Sequence, residues 1–163
     1  MIKTIEFKNS AYPAFQASGN AARFARPFAE EICKGTGYDI GCNRPEWALP
    51  GAIQIDPLLC DYDAYNLPDG EVDYIHSSHC LEHLPDWVKA LEYWMSKIKT
   101  GGTLFLYLPH PDQRYWLPWN NRKHLHSFPP DIIRAFLLDH GWINVFVSQR
   151  DLNHSFIAIA EKP

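Results

Sequence analysis

Three groups of residues in this chain have the types and spacing that chemistry needs. The first begins at residues 37–41, Gly-Tyr-Asp-Ile-Gly, which read as a short buried strand breaking into a tight turn at Gly41. Asp56 closes the next apolar run, Gly-Ala-Ile-Gln-Ile-Asp at 51–56. A glycine turn lets a ligand approach the backbone, and a carboxylate at a neighbouring strand end can accept two charge-assisted hydrogen bonds from a vicinal diol. Asp56 followed by Pro57 equally fits a helix cap, so both readings stand. A dinucleotide loop needs two more glycines, where this chain has Cys42, Asn43, Arg44 and Pro45; that ranks a nicotinamide-dependent oxidoreductase low.

The second group is His76, His79, Cys80 and His83. On one helix these side chains would share a face and could hold zinc. The preceding Val-Asp-Tyr-Ile is strand-like, and side chains diverge in a strand. No metal is therefore expected from this set, and His83 is expected to order its loop through a hydrogen bond. The third group fills 109–128, a connection longer than most, which suggests function. His110, Tyr115, Trp116, Trp119, Arg122, His124 and His126 concentrate there. The aromatic residues either stack on a sugar or planar acceptor or form an apolar plug over the end of a sheet.

These groups need elements to hold them. The pattern predicts a helix over 18–34, capped by Ser18 or Asn20, with Phe24, Phe28 and Ile32 as its core stripe and Pro27 as a point of strain. Strands are expected at 37–41, 51–56 and 72–78, then a helix at 85–99 ending at Gly101-Gly102, and a strand at 103–109. A helix at 130–140 precedes strands at 143–149 and 155–161. Alternating strands and helices predict a mostly parallel sheet with helices on both faces, the last two strands forming an antiparallel edge. In such sheets ligands bind beyond the carboxyl ends of the strands, where strand order reverses.

At 163 residues, the chain is expected to be one domain, with an N-terminal helical segment over 1–35 and a core over 36–163. A net charge of −4 argues against a nucleic-acid surface, because phosphate binding needs clustered Lys and Arg. The start, MIKTIEFKNS, lacks a signal-peptide core, and no run approaches the length of a membrane span. Cys33, Cys42, Cys60 and Cys80 are read as reduced thiols, and the location as cytoplasmic.

From Asp63 onward the chain resembles the class I S-adenosylmethionine-dependent methyltransferases. Asp63-Ala64-Tyr65-Asn66-Leu67-Pro68 precedes the strand Val72-Asp73-Tyr74-Ile75, which leads into Leu81-Glu82-His83. The helix, Gly101-Gly102 and a strand ending in Leu108-Pro109 come next in the family's order. The resemblance implies a Rossmann-like, doubly wound fold with S-adenosylmethionine as cofactor. Asp39 and Gly41 would form the turn beneath its methionine part, with Cys42 and Asn43 as further cofactor contacts, and Asp56 would bind the ribose. Asp63 and Ala64 would face the adenine, while Ser78 and His79 would line the floor near the methyl. A sulfonium cofactor has no pyrophosphate, so a single glycine turn can suffice. The acceptor would be a small molecule or a glycan, met by His110, Tyr115, Trp116, Trp119 and Arg122. His124 is the preferred proton acceptor, with His79 and His126 as further candidates. A domain of this kind that has lost activity and serves as a binding scaffold is the alternative.

Overall fold

The computed structural model of the chain describes residues 3–17 and 19–163. The first residues form a hairpin of β1 (Thr4–Phe7) and β2 (Ser10–Pro13), leading into the single-turn helix α1 (Ala14–Ala17). This departs from the expected helical start. Lys8 and Asn9 both take positive φ, of 48° and 63°, which gives the tight turn its right-handed strand twist. Helix α2 runs over Ala22–Ile32, continues through Pro27 and has no side-chain cap. The expected cap Asn20 is therefore unused, and Ser18 lies outside the described residues.

The main sheet contains β3 (Gly37–Ile40), β4 (Ile53–Ile55), β5 (Val72–Ser78), β6 (Ile98–Pro109), β7 (Ile143–Val147) and β8 (Ser155–Glu161). Its order is β4-β3-β5-β6-β8-β7, with β8 antiparallel to both its neighbours and the first four strands parallel. Helix α3 (Trp87–Lys97) opens on Asp86, whose side chain accepts the Lys89 N–H at 3.0 Å. It stops before Gly101-Gly102, which belong to β6 rather than to the helix end. Helix α4 (Pro130–Asp139) starts on a proline at its first position and is succeeded by Gly141 at φ 84°. The connection from 56 to 71 contains no helix.

Alternation along β6 divides the core between the two faces of the sheet. Leu104, Leu106 and Leu108 pack with Leu91 and Trp94 of α3 and Ile133 and Leu137 of α4. Phe105 and Tyr107 point the other way, with Tyr74, on to α2. There the helix offers chiefly Ala21, Ala25, Ala29 and the adjoining Cys33; of the predicted stripe, Ile32 packs at the edge of this cluster and the Phe28 ring meets Phe105 edge-on. Phe24 and Phe28 remain 37% and 40% exposed. The sheet already supplies three aromatic side chains on this face, so small residues let the helix settle without overpacking. Chain order reverses between β3 and β5, and the crevice this creates opens at their carboxyl ends.

Candidate active site at the strand ends

A cavity of about 500 Å³ occupies that crevice, within the size range of small-molecule sites. One wall is built from the ends of β3, β4 and β5 and the turns that leave them. Asp39, in β3, is buried; its Oδ1 meets His76 Nδ1 at 2.9 Å and its Oδ2 accepts the Leu49 N–H at 2.6 Å. Gly41 turns the chain at φ 80°, and a Cβ there would lie 2.4 Å from Cys80 Sγ. Asn43, at φ 63°, donates its N–H to Asp56 Oδ2 at 2.8 Å, while Asp56 Oδ1 accepts the Leu58 N–H at 2.9 Å. Asp56 thus closes its own loop as a cap does and still lines the cavity. Each of its oxygens accepts one hydrogen bond and retains capacity for another. Burial pushes the Cys42 thiol up to about 12, so it lines the space as a neutral group.

The opposite wall joins remote segments. After β5 the chain turns at His79, a non-glycine residue at φ 49°, into the short 3-10 turn Leu81–His83. The Glu82 carbonyl accepts the N–H groups of Leu125 and His126 at 2.8 and 3.2 Å, and His83 Nδ1 meets the Lys123 carbonyl at 2.7 Å. These bonds clamp the 121–126 loop against the turn and carry His124 to the side chain of Glu82. The His124 ring stacks on Trp116, with centroids 5.2 Å apart and planes at 7°, and Trp116 meets His79 edge-on. Tyr115 stacks in turn on Tyr12 of the N-terminal hairpin.

Burial dominates the electrostatics of this wall. It lowers His124 to about 4, helped by the charge of His83, and depresses His79 well below the usual imidazole value. It raises the Glu82 carboxyl to about 7. Burial, reinforced by Glu82, also pushes the Cys80 thiol up to about 12.

Of the residues singled out in sequence, Asp39, Gly41, Cys42, Asn43, Asp56, Ser78, His79, Tyr115, Trp116 and His124 border the cavity. Others are used elsewhere. Asp63 accepts the Tyr65 N–H at 2.7 Å within its own turn, and the Ala64 carbonyl accepts the Trp94 indole N–H at 2.8 Å. His126 meets the Leu84 carbonyl at 2.9 Å, and His110 pairs with Asp112 at 3.0 Å. Trp119 is 68% exposed, and Arg122 is exposed. None of these six lines the cavity. His76 turns to Asp39, away from His79, Cys80 and His83.

The sequence suggested no site role for Gln16, Asn20, Trp47, Glu82 or Lys123, all of which line the cavity, whereas Asn121, expected beside His124 as a polar contact to the acceptor, lines it too. Glu82 was visible within Leu81-Glu82-His83, but nothing local revealed what it would face. Gln16 sits on α1 and donates to Ser155 Oγ at 3.3 Å, and that hydroxyl also meets His79 Nε2 at 2.9 Å. The N-terminal segment is thereby tied to the cavity floor.

Residues 17–156 match the family model of a methyltransferase domain. No curated protein matches the sequence. Several solved structures share the fold. An S-adenosylmethionine-dependent methyltransferase from Archaeoglobus fulgidus is 19% identical at a TM-score of 0.63, covering 89% of this chain and 94% of that one. The N-methyltransferase NodS from Bradyrhizobium japonicum, in complex with S-adenosylhomocysteine, is 14% identical at a TM-score of 0.65, with 92% and 88% covered. A putative methyltransferase complexed with the activator Trm112, from Haloferax volcanii, is 14% identical at a TM-score of 0.66, with 92% and 95% covered.

Proposed function

The chain belongs to the methyltransferase-domain family, and from that premise we propose that it transfers a methyl group from S-adenosylmethionine to a hydroxyl of a small molecule or sugar. The observation that carries this reading is one cavity bounded on one side by Asp39, Gly41 and Asp56 and on the other by Trp116, His79 and His124. The residues present fit the cofactor. Ser78 Oγ and Asn20 Oδ1 are buried at the cavity without a hydrogen-bond partner among the described residues, as groups awaiting the polar methionine end would be. The unused capacity of Asp56 suits the ribose diol.

S-adenosylmethionine supplies an electrophilic sulfonium methyl. The chain's own residues align the acceptor with it and exclude water, so proximity accounts for much of the rate. Tyr115 and Trp116 offer aromatic faces to a planar or sugar acceptor, and Asn121 and Lys123 supply polar contacts. His79 and His124 act on the hydroxyl proton, both neutral because of burial. His126 and His110 take no part. The chain works as one domain whose hairpin and α1 back the acceptor wall. Its four free thiols fit a reducing, cytoplasmic setting, and no described helix is long and apolar enough to cross a membrane.

Calorimetric titration with S-adenosylhomocysteine tests this reading. One-to-one binding that weakens in Asp56→Ala is expected. Wild-type protein with no affinity for it would instead leave a binding scaffold.

A further inference from the structure

Glu82 is completely buried, and neither of its carboxylate oxygens has a hydrogen-bond partner among the described residues. Three imidazole nitrogens nevertheless face Oε1: His83 Nε2 at 3.7 Å, His79 Nδ1 at 3.8 Å and His124 Nε2 at 3.9 Å. These separations are too long for hydrogen bonds. They lie near the roughly 3.4 Å between donor atoms around a tetrahedral zinc ion with bonds of about 2.0–2.1 Å.

The tautomer of His83 narrows the choice. Its Nδ1 donates to the Lys123 carbonyl at 2.7 Å, which turns Nε2 toward the carboxylate. Nε2 and Oε1 face each other across 3.7 Å, too far for a hydrogen bond and close to the spacing of two ligands on one ion. A backbone carbonyl on the far nitrogen is also how metal-bound histidines are commonly oriented. Ligand atoms of Glu82, His83 and His124 lie within 4.8 Å of one another, and all three residues line the cavity. We propose that Glu82, His83 and His124 bind one divalent first-row cation of the zinc class, with a coordination position open toward the acceptor.

Two histidines and a carboxylate are a donor set that catalytic zinc sites use. This set differs from the four residues grouped by sequence spacing: His124 replaces His76, which is committed to Asp39, and Cys80 stays a protonated thiol. The inference rests on the methyltransferase reading for its purpose. A Lewis acid at the open position would acidify a bound hydroxyl directly. The hydroxyl proton passes to His79 Nδ1. The oxygen lone pair forms the bond to the methyl carbon, and the carbon–sulfur bond breaks with its electrons on sulfur. With its Nε2 on the ion, His124 would act on the hydroxyl through the cation, and His79 alone would take the proton.

The test uses the full chain, purified without a histidine tag and stripped with chelator. Zn²⁺ is titrated by calorimetry and Co²⁺ by visible absorption, and S-adenosylhomocysteine affinity is measured on the same samples. Saturation at one ion per chain is expected, weakened at least tenfold in His124→Ala and in the partly exposed His83→Ala, with His110→Ala unaffected. Absence of a saturating signal, or saturation unchanged in both variants, would overturn the proposal. Intact S-adenosylhomocysteine binding beside a failed metal titration sinks this inference alone. Metal binding without cofactor binding sinks the methyltransferase reading instead.

Discussion

Asp39 and Asp56 border the same cavity as Glu82, yet the three carboxylates are held in opposite ways. The two aspartates are bonded at both oxygens, to the Leu49, Asn43 and Leu58 N–H groups and to His76. Glu82 has no hydrogen bond to its side chain among the described residues and is ringed by imidazoles. The difference comes from chain connectivity. An acid at a strand end receives N–H groups from the loop that begins there, whereas Glu82 meets side chains brought in by a clamped loop of 121–126. The aspartates of one wall are satisfied by the groups around them. The carboxylate of the other is not satisfied among the described residues.

Stability should separate the walls most strongly. Asp39→Ala strands the buried Leu49 N–H and the His76 ring and should cost on the order of 3 kcal/mol in urea unfolding. In chelator-treated protein Glu82→Gln should behave oppositely. The Glu82 pKa is raised from 4.5 to about 7, so the folded state binds its proton more tightly than the unfolded state does. Its contribution is fully present below pH 4.5 and is lost as pH rises through 7. The shift corresponds to about 3 kcal/mol, which the neutral glutamine does not lose. Between pH 4 and pH 8 the variant should therefore gain on the wild type by about that amount. Equal pH profiles would erase the contrast between the walls.

Activity sharpens the comparison further. Once an acceptor is found, His124→Ala should lower turnover about a hundredfold or more while leaving S-adenosylhomocysteine affinity unchanged. Lost cofactor affinity would move His124 to the other wall. His126→Ala, aimed at a ring bonded to the Leu84 carbonyl outside the cavity, should change turnover by less than about threefold, a surface-level effect. A larger loss would show that the loop clamp matters as much as the groups it presents.

The sequence made one wall more legible than the other for the same reason of connectivity. Strand Val72–Ser78 matches the expected bounds in full, and Gly41 and Asp56 mark strand ends that the fold must bring together. The packed face of α2 could not be read from its own periodicity. The choice between phenylalanines and alanines depends on Tyr74, Phe105 and Tyr107 across the interface. Asp63 looked like a ligand residue, but its carboxylate serves its own tight turn. The partners of Glu82 are fixed by backbone bonds to Leu125 and His126, a register no local pattern records.

The wall that carries Asp39, Gly41 and Asp56 is the proposed cofactor side. Diffraction from crystals soaked in S-adenosylhomocysteine tests it most directly. Density should place the ribose hydroxyls on Asp56, the methionine end near Ser78 and Asn20, and the sulfur facing His79 and Trp116. Density for the ribose away from Asp56, or a nicotinamide dinucleotide binding in its place, would contradict the account.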